Sequence, residues 1–274
     1  MRVRTITYFF QLEPSDFGSK TLEEKFVEAK RVLDKLSDEL VASGYQVQTL
    51  RVSLNSFEDW LPRTSNETGE ILTELVKATI GKVILQLERN EIHVCSVGGC
   101  VSDWAILLVP NILQQSSRLS CSVRFNRQNE EMSTGSSIFQ STVVPNYSSC
   151  LLAAEASLKV LSNCGSFGNF RFCASFNCRG GIPFFPASYN ESGERGKVPS
   201  VTIGLENGDF LFLAFYGADS PDEGRANLYE TMKQALLPLQ RLLIKACERT
   251  GGGVVYGGPR RLRNQHGAGE NADV

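Results

Sequence analysis

The chain reads as an α/β protein built on a largely parallel sheet covered by helices. Short β-branched and aromatic runs alternate with helical patterns through most of its 274 residues, and the helical stretches repeat apolar residues every three or four positions. At 42% hydrophobic content, a chain of this length carries enough apolar material for one substantial core. No linker rich in Pro, Ser or charge divides it. One domain is therefore expected over residues 1–257, followed by a disordered tail over residues 258–274 that has almost no apolar content.

Arg2 to Phe10 has strand composition, and Pro14, Ser15, Asp16 and Gly18 mark the loop after it. Thr21 with Glu24 suggests a capping box. Phe26, Ala29, Leu33, Leu36 and Leu40 then recur at helical spacing up to the stop at Gly44. A strand at Gln46 to Leu54 precedes a helix at Glu67 to Asn90, with Gly81 as a break point, and a short strand at Ile92 to Val97. A helix near Asp103 to Ser116, a strand at Leu119 to Phe125 and a polar loop at Asn126 to Ser141 complete the first half. The second half offers a helix from Pro145 to Asn163, a strand at Phe170 to Asn177 and a Gly/Pro-rich loop from Arg179 to Pro199. A strand at Val201 to Asn207 and an apolar segment at Phe210 to Tyr216 lead to a long helix at Arg225 to Arg249, where Pro238 should kink the backbone, and a last strand at Gly253 to Tyr256.

Composition excludes several functions. With 28 Lys+Arg against 30 Asp+Glu, no basic excess is available to neutralise phosphates, which argues against a nucleic-acid partner. No apolar run reaches the roughly 20 residues that span a bilayer, and no export signal is visible, so a cytoplasmic protein without a membrane partner is expected. Eight cysteines are too sparse for a disulfide scaffold, and their spacings match no zinc knuckle, so no metal site is expected. The sequence specifies no cofactor.

Buried parallel strands usually read as continuous apolar runs. Here several alternate. Thr5 and Thr7 share one face of the first strand. Arg51 and Ser53, Ser122 and Arg124, Arg171 and Cys173, Ser175 and Asn177, and Thr202 and Glu206 take the polar face of four others. If helices cover the apolar faces, the polar faces converge on one interior holding Arg51, Arg124, Arg171 and Glu206, either as a salt-bridge network or as a ligand site.

The run from Gly165 to Phe172 (GSFGNFRF), PFFPASY from Pro183 to Tyr189, and GLEN from Gly204 to Asn207 resemble the family called domain of unknown function 711, as do Arg4 to Thr7 and Gly44 to Arg51. The resemblance covers about Met1 to Tyr256. It implies an α/β barrel related to the ten-stranded barrel of glycyl-radical enzymes, with no established activity. Family members are typically longer, so the resemblance also implies that a homo-oligomer could complete the fold. Val255-Tyr256-Gly257-Gly258 does not match the glycyl-radical motif, and radical chemistry is not carried over.

Within this frame the expected ligand is a small polar or anionic metabolite. Arg51 and Arg171 would hold the anion, while Asn169, Asn177, Ser188, Tyr189, Thr202 and Asn207 would orient it. Glu206 is the candidate acid or base, with an ion pair to Arg171 as its structural alternative. Cys173 is a second catalytic candidate because Arg171 on the same face would lower its pKa. Gly165-x-x-Gly168 lacks the following helix of a phosphate loop, Ser188 lacks a nucleophile elbow, and His93 lies on a short strand where a structural role is expected. An enzyme working by acid–base chemistry and a non-catalytic sensor or scaffold both fit this set.

Overall fold

A computed structural model describes residues 2–63, 69–125, 147–176 and 178–248. The polar loop, the last strand and the tail expected from the sequence lie outside the described residues, as does Asn177.

Six strands form one sheet in the order β5-β4-β3-β2-β1-β6: β1 (Arg2–Phe10), β2 (Gln46–Leu54), β3 (Val94–Cys100), β4 (Leu119–Phe125), β5 (Phe172–Phe176) and β6 (Ser200–Glu206). Strands β1 to β5 are parallel, and β6 runs antiparallel against β1. The sheet curves into a half-barrel. The ten strands suggested by the resemblance are not present among the described residues; the sheet is largely parallel as expected, with β6 as its one antiparallel strand among them.

The helices are α1 (Thr21–Ala42), α2 (Phe57–Trp60), α3 (Gly69–Arg89), α4 (Asp103–Gln115), α5 (Tyr147–Cys164), α6 (Gly208–Phe215) and α7 (Pro221–Glu248). Period two sends Ile6, Tyr8, Phe10, Val52, Leu54, Cys121 and Val123 outward. There they form one core with Phe26, Leu33, Ile80, Val83, Val109 and Ile112 of the covering helices. Each fully buried Leu, Ile, Val or Phe in that layer contributes about 1.5–3 kcal/mol.

Several local expectations change. Gly81 does not interrupt α3. The apolar segment before α7 is the helix α6. Thr21 lies inside α1 and makes no side-chain cap. A capping box belongs instead to the preceding 3-10 helix Pro14–Gly18, where Asp16 Oδ2 accepts from Glu13 N at 2.8 Å and from Lys25 Nζ at 2.7 Å.

At the C-terminal ends of the parallel strands, polar groups lock the loops together. Asn55 accepts from Leu12 N at 2.9 Å through Oδ1 and donates to Leu12 O at 3.2 Å through Nδ2. Glu58 accepts from the N–H groups of Val101 (2.8 Å) and Ser102 (2.9 Å), so its carboxylate covers the N-terminus of α4. Between Ser96 and Gly99 the β3–β4 register shifts, and Gly98 there adopts φ +94°. A Cβ at Gly98 would lie 2.3 Å from the Ser56 Cα. Gly98→Ala combines left-handed strain with a backbone clash and should cost about 3 kcal/mol. Chemical denaturation of the variant measures this; an unchanged midpoint would show that the close approach is absent.

Candidate functional site

The inner face of the half-barrel carries rows of small hydroxyls. Register places Arg51, Thr7 and Thr202 side by side across β2, β1 and β6, and Ser53 beside Phe9 and Ser96 one row nearer the C-terminal ends. Ser120 follows on β4 opposite Ser96, and Ser122 lies opposite Gly99. Short side chains leave room above this face.

The Gly/Pro-rich loop after β5 occupies much of that room. Its Pro183 approaches Gly204, and Phe185 lies against Arg51, with the guanidinium carbon 4.9 Å from the ring centre. Ser188 and Tyr189 are buried. Ser96 Oγ donates to Ser188 O, Ser188 Oγ donates to Ser53 Oγ at 2.9 Å, and Asn190 N donates to Leu54 O at 2.9 Å. Tyr189 OH donates to Cys178 O at 2.7 Å and accepts from Arg124 Nη1 at 3.4 Å, with its ring under the same guanidinium. Burial pushes the Tyr189 hydroxyl pKa up, against the opposing pull of Arg124.

Arg51 and Thr202 therefore share the inner face with Ser188 and Tyr189, whereas the rest of the expected set disperses. Arg171 precedes β5 at φ −113° and ψ −5°, so strand alternation does not apply to it. Its Nη1 donates to Leu113 O at 2.8 Å and Ser116 O at 2.7 Å, finishing the C-terminus of α4. Glu206 does not meet Arg171. It sits at the rim with 44% of its side chain exposed, 3.8 Å from Arg4, and accepts from Gln48 at 3.4 Å. Asn169 is exposed in the 3-10 turn Ser166–Phe170, and Asn207 precedes α6 with Nδ2 3.3 Å from the Met232 sulfur. Cys173 has no cation to depress its pKa. Burial, then Cys121 and Cys178, push it up to about 12, which keeps it a thiol at neutral pH.

Two features of the inner face lack partners. Thr202 Oγ1 and Ser122 Oγ are buried without a hydrogen bond. Such orphaned hydroxyls are rare because each forfeits its hydration, at a cost of about 1–3 kcal/mol. Arg51 donates its Nε to Thr49 Oγ1 at 3.1 Å, and no carboxylate among the described residues lies within ion-pair distance of it. Burial, and secondarily Arg4, disfavour its charge. Sequence reasoning placed Arg51, Ser53, Ser122 and Arg124 on polar faces but overlooked Ser96 and Phe185. Ser96 was legible only by extending strand alternation through β3, and Phe185 by weighing the adjacent phenylalanines of the loop.

The fold and this inner face define a helix-covered α/β half-barrel with a polar concave side. The chain belongs to the family of uncharacterised ACR proteins, DUF711, which it matches over residues 1–256. No curated protein matches it. Among the described residues no helix is long and apolar enough to cross a membrane, and no group of three His, Cys, Asp or Glu could hold a metal ion.

Proposed function

We propose that the protein binds a small polar or anionic metabolite on the inner face, beneath the Pro183 to Asn190 segment, in a reduced cytoplasmic setting. The observation that carries this reading is the orphaned buried hydroxyl of Thr202, Oγ1, in the same cross-strand row as Arg51, a half-buried cation without a counter-charge among the described residues. A ligand would supply the missing partners.

Binding without turnover is favoured over acid–base catalysis. The thiol of Cys173 and the phenol of Tyr189 on that face have pKa values raised away from neutrality, and Glu191, whose charge acts on Tyr189, is engaged by the Gly180 N–H at 2.8 Å. The enzyme reading rests on Glu206, which would have to reach substrate from the rim. A thermal-shift panel of small carboxylates, phosphate esters, sugars and nucleosides tests the site, since a ligand selective for the folded state stabilises it. Hits should lose most of their shift in Thr202→Val but keep it in Lys77→Ala, on the outer helical surface. Hits indifferent to the inner-face substitutions would contradict the assignment.

The sheet edges at β5 and β6, unpaired among the described residues, support a homo-oligomer as well. Both flanks expose apolar side chains: Phe212 (64%), Leu213 (64%) and Tyr216 (74%) beside β6, and Phe167 (78%) and Phe170 (75%) beside β5. Because β6 runs opposite to β5, a two-fold axis along the strands would pair β5 of each copy antiparallel with β6 of the other. Sedimentation should give a dimer that Phe212→Asp with Leu213→Asp dissociates; a wild-type monomer at micromolar concentration would exclude it.

A further inference from the structure

Resting on the inner-face reading, we propose that the ligand is a small monocarboxylate held end-on by the two Nη groups of Arg51, with the Phe185 ring as its platform. The geometry of Arg51 selects this class. Its Nε is committed to Thr49 Oγ1 at 3.1 Å, and its guanidinium carbon lies 4.9 Å from the Phe185 ring centre. Neither Nη has a hydrogen-bond partner among the described residues, so the end of the guanidinium fork remains to pair with the two oxygens of one carboxylate.

Charge argues in the same direction. A half-buried guanidinium without a counter-ion is costly, and one negative charge neutralises it, whereas a phosphate dianion would bring a second charge into a partly buried site. Arg124 does not share the site. It lies two strands away, its Nε donates to Gly99 O at 3.1 Å and its plane covers Tyr189, while Ser188 is docked on Ser53 and Ser96 between the two arginines.

The hydroxyls select the group next to the carboxylate. Thr7 neighbours both Arg51 and Thr202 in register. The Thr202 Oγ1 is buried and unpartnered, and Thr7 Oγ1 has Thr5 Oγ1 at 3.3 Å as its partner. A hydroxyl or keto oxygen close to the carboxylate would meet this row. Lactate and pyruvate have that form, and benzoate keeps the carboxylate while offering only a ring to Phe185.

Two-dimensional amide NMR titrations of the full chain test this with lactate, pyruvate and benzoate against lactamide, pyruvamide and benzamide, and with inorganic phosphate. The acids should shift the amides of Thr7, Arg51 and Thr202 and bind roughly ten- to a hundredfold more tightly than their amides, the span expected for charge-assisted hydrogen bonds. Arg51→Met should erase the preference for acid over amide. Arg51→Lys, which preserves the charge and guards against a folding defect, should weaken acid binding about tenfold through loss of the fork. Equal binding of acids and amides at these residues, or tighter binding of phosphate, would overturn the carboxylate assignment and leave the inner-face site standing. If none of the seven probes shifts these amides, both the carboxylate and the inner-face reading fall.

Discussion

The seating of Ser188 on the sheet is the contact on which the interior depends. A parallel sheet with helices on one face leaves the other face needing a cover or water, and here that face carries hydroxyls too short to reach one another across most strand gaps. Ser53 and Ser96 find partners in the Ser188 side chain and backbone, and Asn190 continues the backbone bonding from the end of β2. The loop thus closes the C-terminal half of the polar face and carries Phe185 over Arg51 and Tyr189 under Arg124. Remove that seat and both arginines lose their aromatic partners together.

Charge is sorted by the same arrangement. Glu58 and Asp16 serve helix and loop ends through backbone N–H groups, Arg171 serves the end of α4, and Glu206 pairs loosely at the exposed rim. Glu58, Asp16 and Arg171 thus settle local backbone needs, while Glu206 is engaged by side chains at the rim. What remains inside, among the described residues, is a cation without a carboxylate and two hydroxyls without partners. That imbalance carries a free-energy cost in the unliganded protein.

Much of the fold was legible because strand alternation and helix spacing follow from burial. β1, β2 and β4 fall where the pattern puts them, and their polar faces do form one surface. The failures have particular causes. Arg171 was assigned a strand face, yet Gly165 at φ +67° opens a 3-10 turn that delays β5 to Phe172 and aims Arg171 at α4. Glu206 has the expected parity but ends its strand, and parity says nothing about depth. Cys173 occupies the inner face, but its expected pKa depended on the misplaced arginine. The loop's role was invisible to periodicity altogether, since Ser188 is placed by contacts 92 and 135 residues away in sequence.

The inner-face site stands on the coupling between that loop and the sheet, and a double-mutant cycle between Ser53→Ala and Ser188→Ala measures it most directly. Unfolding free energies of the wild type, the two single variants and the double variant should give an interaction energy of about 0.5–1.5 kcal/mol, the range for a buried neutral hydrogen bond between residues in contact. Strict additivity of the two substitutions would show that Ser188 does not sit on the inner face, and the site built upon it would not exist as described.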